Sequence, residues 1–466
     1  MSNSAVTLFA ASALLPEGWG ENVLIEIEDG LIQSVKVHEL PGSAQCAEGA
    51  VVPGMPNLHS HAFQRAMAGL TERAGPSGDN FWAWRELMYR FLERITPEDN
   101  EAIAAQLYIE MLKAGYTSVA EFHYLHHDHH GQPYADPNEM AWRIVAAAQR
   151  AGIGLTVLPV FYAHATFGGA PPHSGQKRFV QTLDNYNASV AALIKKRDTG
   201  MLRRVGIAPH SLRAVTPPEL QAVTTAFHAL DNTAPIHIHA AEQIKEVDDC
   251  LAWSQQRPVA WLLDHASLDA RWCVVHATHL DSNEIFRLVR SGAVAGLCPT
   301  TEANLGDGIF NAGDYFMQGG GNGEMGKWGI GGDSHVGAGP FEELKLIEYA
   351  QRLRHMRRNI LTTPHCASIG SGLYRQALDG GAQALGQRTG AIRPGCHADL
   401  LVLNGDDPAL AERHGDDLLD AAIFAPARRP VRDVMVQGRW VVQDGRHAEE
   451  DKVFKTYRQT LRKLLN

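Results

Sequence analysis

The spacing of apolar positions changes along the chain. Near the start, Val23-Leu24-Ile25-Glu26-Ile27 meets the turn Glu28-Asp29-Gly30, and Leu31-Ile32-Gln33-Ser34-Val35 follows. Two short strand patterns around a turn predict a hairpin. The far end behaves the same way: Ala398–Leu403 is strand-like, and Val434–Val442 folds back at Gln437-Gly438. Neither end has enough strands to stand alone, so the pair predicts one small β-sandwich built from both chain ends, residues 1–50 and 391–466.

The middle alternates between short apolar runs and longer helical patterns. Candidate strands are Val51–Leu58, Ser118–Phe122, Leu155–Val160, Arg204–Pro209, Pro235–Ala240, Cys273–Ala277, Ala293–Cys298 and Gly329–Gly332. Helical stretches such as Pro97–Ala114, Pro137–Ala151, Pro217–Leu230 and Phe341–Asn359 lie between them. Eight strand–helix units predict an α/β fold, a (β/α)₈ TIM barrel over residues 51–390. An open doubly wound sheet would carry a glycine-rich phosphate loop after its first strand, and none is there. The stretch Gly321–Lys327 comes near a phosphate loop, but Trp328 follows where a hydroxyl would hold magnesium, and the stretch precedes a strand.

Composition narrows the function. A net charge of −10 argues against nucleic acid or an anionic membrane as partner. The six cysteines form no CxxC pair, which fits a reducing compartment and no disulfide framework. The apolar stretch Ala5–Leu15 lacks the basic flank of a signal peptide, because the first Lys or Arg is Lys36. No run reaches the ~18 apolar residues of a membrane span. A cytoplasmic enzyme is the expectation.

The 23 histidines then matter through their spacing. His59-Ser60-His61 closes the first candidate strand, where residues i and i+2 point the same way and can grip one cation. His239 and Glu242 close another strand, giving a ligand with a proton-carrying carboxylate nearby. His276 ends the next, and Asp333 the last. All four sets fall at C-terminal ends of candidate strands, the rim where barrel enzymes keep their sites. The expected metal ligands are His59, His61, His239 and Asp333, around one Zn²⁺, with Fe²⁺ the alternative that nitrogen and oxygen donors leave open. Such an ion lowers the pKa of water from 15.7 towards ~7. His237 reads as a satisfied strand histidine, and His126–His130 as a loop without a functional site.

These residues, in this order, resemble the amidohydrolase superfamily, over essentially the whole chain. The tail Gly390–Leu403 resembles that superfamily's return to its small β domain. With HxxE and no bridging lysine, the pattern is similar to the mononuclear deaminase branch, and within it to the deiminases of formiminoglutamate. The segments carrying that likeness are Pro53–Gly69, Phe81–Phe91, Glu121–His126 and Pro209–Val215. The resemblance implies hydrolysis of N-formimino-L-glutamate to N-formyl-L-glutamate and ammonia in histidine degradation, by a homodimer. Such a dicarboxylate needs donors, which Arg85 and Arg213 offer as bidentate forks, with Gln64, Tyr124 and His210 adding hydrogen bonds. The expected catalytic residues are Asp333 and His276, accepting a proton from water, and Glu242, delivering one to the leaving nitrogen. A deaminase of a purine or other amidine is the alternative, with Phe81, Trp82 and Trp84 as stacking partners. A third reading, an assembly protein that has lost its ligands, is disfavoured because every ligand type is present.

Overall fold

Short runs in which every residue is apolar or small form parallel strands when both faces are covered. The computed structural model describes residues 5–72, 81–197, 200–317, 325–362, 366–425 and 427–466. In it Met55–Ser60, Tyr116–His123 and Gly154–Phe161 are buried along their whole length. They pair in parallel in that order, and Gly154–Phe161 pairs onward with both Leu202–Val205 and Ala208–Pro209. A second parallel set runs Ile236–Ala240, Trp272–His276, Val294–Leu297, Lys327–Ile330. Isolated parallel bridges join the two sets at both edges: Ser60 with Asp333, and Ile207 with Ile236 plus Ser211 with His239. The strands carrying the predicted chemistry therefore share one direction and one set of ends.

Helices fill the connections, and their limits follow local signals. Pro97–Ala114 starts at Thr96, which accepts from the Asp99 amide in a capping box, and stops at Gly115 with φ 116°. Pro217–Leu230 matches its predicted span. Of the other two, one starts two residues later, as Glu139–Ala151, and one starts a residue earlier and ends four earlier, as Pro340–His355.

Both chain ends enter a single nine-stranded sheet. Val6–Leu15 pairs antiparallel with Gly18–Glu28, and Leu400–Leu403 with Val431–Val436. Val51–Pro53 joins the two halves, antiparallel to Leu400–Leu403 and bridged in parallel to Val6–Leu15. The hairpin between Val431–Val436 and Arg439–Gln443 turns on Gln437 and Gly438, both at positive φ, as two-residue hairpin loops require. Leu8, Val23, Ile25, Leu400, Val402 and Met435 share one core on this sheet.

Three features differ from the sequence pattern. The run Val51–Leu58 breaks into Val51–Pro53 and Met55–Ser60. At Gly54, between them, a Cβ would lie 2.2 Å from Thr117, so the chain passes from one sheet to the other where only glycine fits. The apolar stretch after Ala5 is a ten-residue strand. The last segment, Glu450–Leu465, is a helix set against Pro97–Ala114, with Lys113 Nζ 2.6 Å from Glu450 Oε2. Among the described residues no helix is long and apolar enough to cross a membrane. Within the glycine-rich stretch 321–327, positions 321–324 lie outside the described residues.

A buried ion pair ties the sheet of the chain ends to the parallel strands. Arg203 donates from Nη1 to Asp399 Oδ2 at 2.6 Å and from Nη2 to Oδ1 at 2.9 Å. Thr389 Oγ1 and the Gln437 amide donate to the same carboxylate. Burial would raise the Asp399 carboxyl, but Arg203, His397 and the Gln437 amide hold it below its usual range. A depressed carboxyl stabilises the fold above its unfolded pKa, and that contribution fades as pH falls through the folded value. Asp399→Ala is expected to cost about 3–5 kcal/mol in urea unfolding at neutral pH, because it leaves a buried guanidinium unpaired. The deficit should shrink in acid. A loss under 1 kcal/mol at neutral pH would contradict the role given to this pair.

Candidate active site

Every predicted site residue comes to one end of the parallel strands. His61, Gln64, Arg85, Tyr124, His210, Arg213, His239, Glu242, His276 and Asp333 line a single cavity. His59 lies fully buried beneath them, against His61 and His239. The side chains of Phe81 and Trp82, stacking partners in the purine alternative, lie outside the described residues.

The floor of the cavity is a tight cluster. His59 Nε2 is 3.1 Å from His61 Nε2, 3.1 Å from His239 Nε2 and 3.5 Å from Asp333 Oδ1. His61 Nε2 is 3.3 Å from the same oxygen. Two of the opposite ring nitrogens are occupied: His61 Nδ1 meets the Phe122 carbonyl at 3.0 Å, and His239 Nδ1 the His210 carbonyl at 3.1 Å. A carbonyl accepts, so each Nδ1 carries the hydrogen and each Nε2 presents a lone pair. Burial keeps these imidazoles neutral, lowering His59 to about 3 and His61 and His239 below their usual value. Burial would raise the Asp333 carboxyl, yet His59, His61 and His276 hold it far below the carboxylate range. The converging lone pairs of His61 and His239, with His59 Nε2 and an anion beside them, fit a divalent cation.

Carboxylates surround the next position. His276 Nε2 lies 3.7 Å from Glu242 Oε1 and 3.9 Å from Asp333 Oδ2, while its Nδ1 is 3.3 Å from Glu302 Oε1. Burial alone would lower this imidazole, but Glu242, Glu302 and Asp333 hold it up to about 10. Burial raises the Glu242 carboxyl against the pull of His276 and Arg213, so it retains a proton well above the ordinary range. Glu246 accepts the amides of Ala241 and Glu242, which sets the turn that aims Glu242 inward. Ala241, His276 and Asp333 all have positive φ. Non-glycine residues held there store strain of about 1–3 kcal/mol each, which the surrounding fold must impose.

The cavity also carries positive charge. Arg213 is 9% exposed, its Nη2 lies 3.9 Å from Glu242 Oε2, and its Nε has no hydrogen-bond partner among the described residues. Arg85 comes from the helix Phe81–Leu92 and stands over the Tyr89 ring. Gln64 Nε2 donates to Tyr124 Oη at 2.8 Å, leaving Gln64 Oε1 buried and open.

Several positioning residues carry no motif and were missed by sequence reasoning. Glu121 accepts from Ser60 Oγ at 2.5 Å, from the Ala62 amide at 2.7 Å and from Tyr108 at 3.0 Å. It thereby clamps the turn that holds His59 and His61. Burial pushes its carboxyl up to about 7 although all three donors pull the other way. His335 Nε2 meets Ser60 Oγ at 2.9 Å. Glu302 and Asp307, behind His276, were also unseen. His237 bonds the Ala384 carbonyl at 2.8 Å, a structural use. His126 and His127 bond the carbonyls of Val160 and Val180, a structural use.

Comparison with known proteins agrees with this geometry. Residues 50–441 match the model described as "Amidohydrolase family", and residues 6–46 match "Formimidoylglutamate deiminase HutF, N-terminal domain". The chain is 54% identical over 460 residues to the formimidoylglutamate deiminase of Pseudomonas aeruginosa, covering 98% of this chain and 99% of that protein. A crystal structure of an amidohydrolase from Brucella melitensis superposes with a TM-score of 0.93 at 48% identity, covering 99% of this chain and 100% of that one. A zinc-bound adenosine deaminase from Xanthomonas campestris shares the fold, with a TM-score of 0.80 at 21% identity over 99% and 98% of the two chains.

Glu121→Ala removes the acceptor shared by Ser60, Ala62 and Tyr108 without touching a ligand. Metal affinity, measured by competition with a chelator, is expected to fall about 10–100-fold, as for other partners that orient ligands. Unchanged affinity would contradict the clamp.

Proposed function

The chain belongs to the amidohydrolase family, and from that premise we propose how its cavity performs hydrolytic deimination of N-formimino-L-glutamate to N-formyl-L-glutamate and ammonia. The relative at 54% identity and the match of residues 6–46 support this reaction, a step of histidine degradation. The observation that carries the mechanism is the placement of Arg213 and Arg85 in the same cavity as the His59–His61–His239–Asp333 cluster.

The two parallel sets, bridged at both edges, are read as one closed (β/α)₈ barrel over residues 51–390. The sheet of the chain ends is read as the small β-sandwich of residues 1–50 and 391–466, supported by the core that Leu8 and Ile25 share with Leu400 and Val402. The six cysteines are free, in keeping with a cytoplasmic setting.

His59, His61, His239 and Asp333 would hold one Zn²⁺. Bound there, the ion supplies Lewis acidity, which makes water a nucleophile near neutral pH. The protein's side chains manage the rest. Arg213 and Arg85 pair with the substrate carboxylates, each guanidinium offering a planar fork. Gln64, Tyr124 and His210 donate or accept along the substrate and hold the formimino carbon over the cluster. Asp333, beside His276, takes a proton as the water oxygen bonds to that carbon. Glu242 delivers a proton to the formimino nitrogen. The remaining hydroxyl hydrogen then follows to the same nitrogen, the C–N bond breaks, and ammonia leaves the formyl product.

Purified enzyme should release ammonia from formiminoglutamate and not from adenosine or guanine at comparable concentration. Ammonia from the purines alone would replace this substrate. Arg213→Met should raise KM about 10–100-fold, from the loss of charge-assisted hydrogen bonds worth about 1.5–3 kcal/mol. An unaltered KM would remove the carboxylate role. Glu242→Gln should keep its metal while turnover falls about 10²–10⁴-fold. Near-normal turnover in that variant would refute the proton delivery.

A further inference from the structure

A second group of donors adjoins the first. Glu242, His276 and Asp307 each offer a ligand atom, and the three atoms lie within 4.8 Å of one another. All are buried, at 5%, 1% and 5% exposure. They come from separate elements: the loop after Ile236–Ala240, the end of Trp272–His276, and the segment after the helix Pro299–Leu305.

The reaction above uses Glu242 and His276 but leaves Asp307 without a task. Its Oδ1 accepts from Gln243 Nε2, and its Oδ2 is buried without a hydrogen-bond partner among the described residues. No lysine or arginine among those residues forms an ion pair with it. A buried carboxylate oxygen left open costs about 1–3 kcal/mol or more. Two buried carboxyl groups and one imidazole therefore converge with one oxygen left unmatched.

We propose that Glu242, His276 and Asp307 form a second, weaker divalent-cation site, and that Zn²⁺ bound there inhibits the enzyme. This rests on the reaction proposed above. Two carboxylate oxygens and an imidazole nitrogen are a donor set that zinc accepts. Ligands at about 2.0–2.2 Å from zinc stand roughly 3.4 Å apart, so these side chains must draw together to close on an ion. Arg213, 3.9 Å from Glu242, adds a repulsive charge at the edge. Both effects make the site weaker than the three-histidine cluster. Its occupation removes the group that delivers the proton and the imidazole beside Asp333. It also places an ion where the amidine must lie, so inhibition is competitive with substrate.

The test is a zinc titration of the enzyme already holding one equivalent, followed by equilibrium dialysis with elemental analysis and by turnover. A second equivalent should bind at higher zinc, with turnover falling as it fills and apparent KM for formiminoglutamate rising in step. Asp307→Asn removes the charge and keeps the shape; it should weaken the second equivalent at least about tenfold while the first is retained. Asp307→Ser provides a second variant should the first fold poorly, with the same expectation. Stoichiometry that stays at one up to millimolar zinc overturns the proposal. So does a second equivalent that binds both Asp307 variants as tightly as the wild type. Enzyme that retains no first equivalent overturns the proposed reaction itself, and this inference with it.

Discussion

Three imidazole nitrogens and one carboxylate oxygen meet at His59 Nε2, none more than 3.5 Å from it, and such a meeting is stable only around a positive charge. The four groups come from three places in the chain: the end of Met55–Ser60 and the turn beyond it, the strand Ile236–Ala240, and the turn after Lys327–Ile330. Much else serves to bring those ends together. Parallel pairing sets every strand in one direction, and the bridge from Ser60 to Asp333 joins the first ligand turn to the last. Backbone carbonyls of Phe122 and His210 choose the tautomers, and Glu121 holds the turn between the paired histidines.

Charge is divided across the cavity. Glu242, Glu302, Asp307 and Asp333 gather around His276, while Arg213 lies 3.9 Å beyond Glu242 and Arg85 lines the same cavity. A substrate with a cationic amidine at one end and carboxylates at the other matches that division, and a neutral ring does not. Burial strengthens both halves, since charges screened from water interact over several ångströms. Burial keeps a proton on Glu242, and the surrounding acids hold His276 charged against it.

Much of this was legible in the sequence where a signal spans several residues. The HxH pair, the HxxE, the lone His276 and Asp333 each close an apolar run, and strand ends are where a parallel sheet gathers its chemistry. Helix limits at Thr96–Pro97 and Gly115 followed from capping and from a left-handed stop. The break at Gly54 was not legible, because its cause is Thr117, a residue from the neighbouring strand. Glu121, Glu302 and Asp307 were equally silent, since a single acid on an ordinary strand, helix or loop acquires its role only from what packs against it. The closing helix Glu450–Leu465 escaped notice because its apolar face is completed by Pro97–Ala114, far away in sequence.

The most direct test of the central claim is anomalous diffraction at the zinc edge from crystals grown with stoichiometric Zn²⁺. The account predicts a single strong peak about 2.0–2.2 Å from His59 Nε2, His61 Nε2, His239 Nε2 and an Asp333 oxygen. The strongest peak at any other place in the protein, or none at this cluster in enzyme that turns over at full rate, would contradict it.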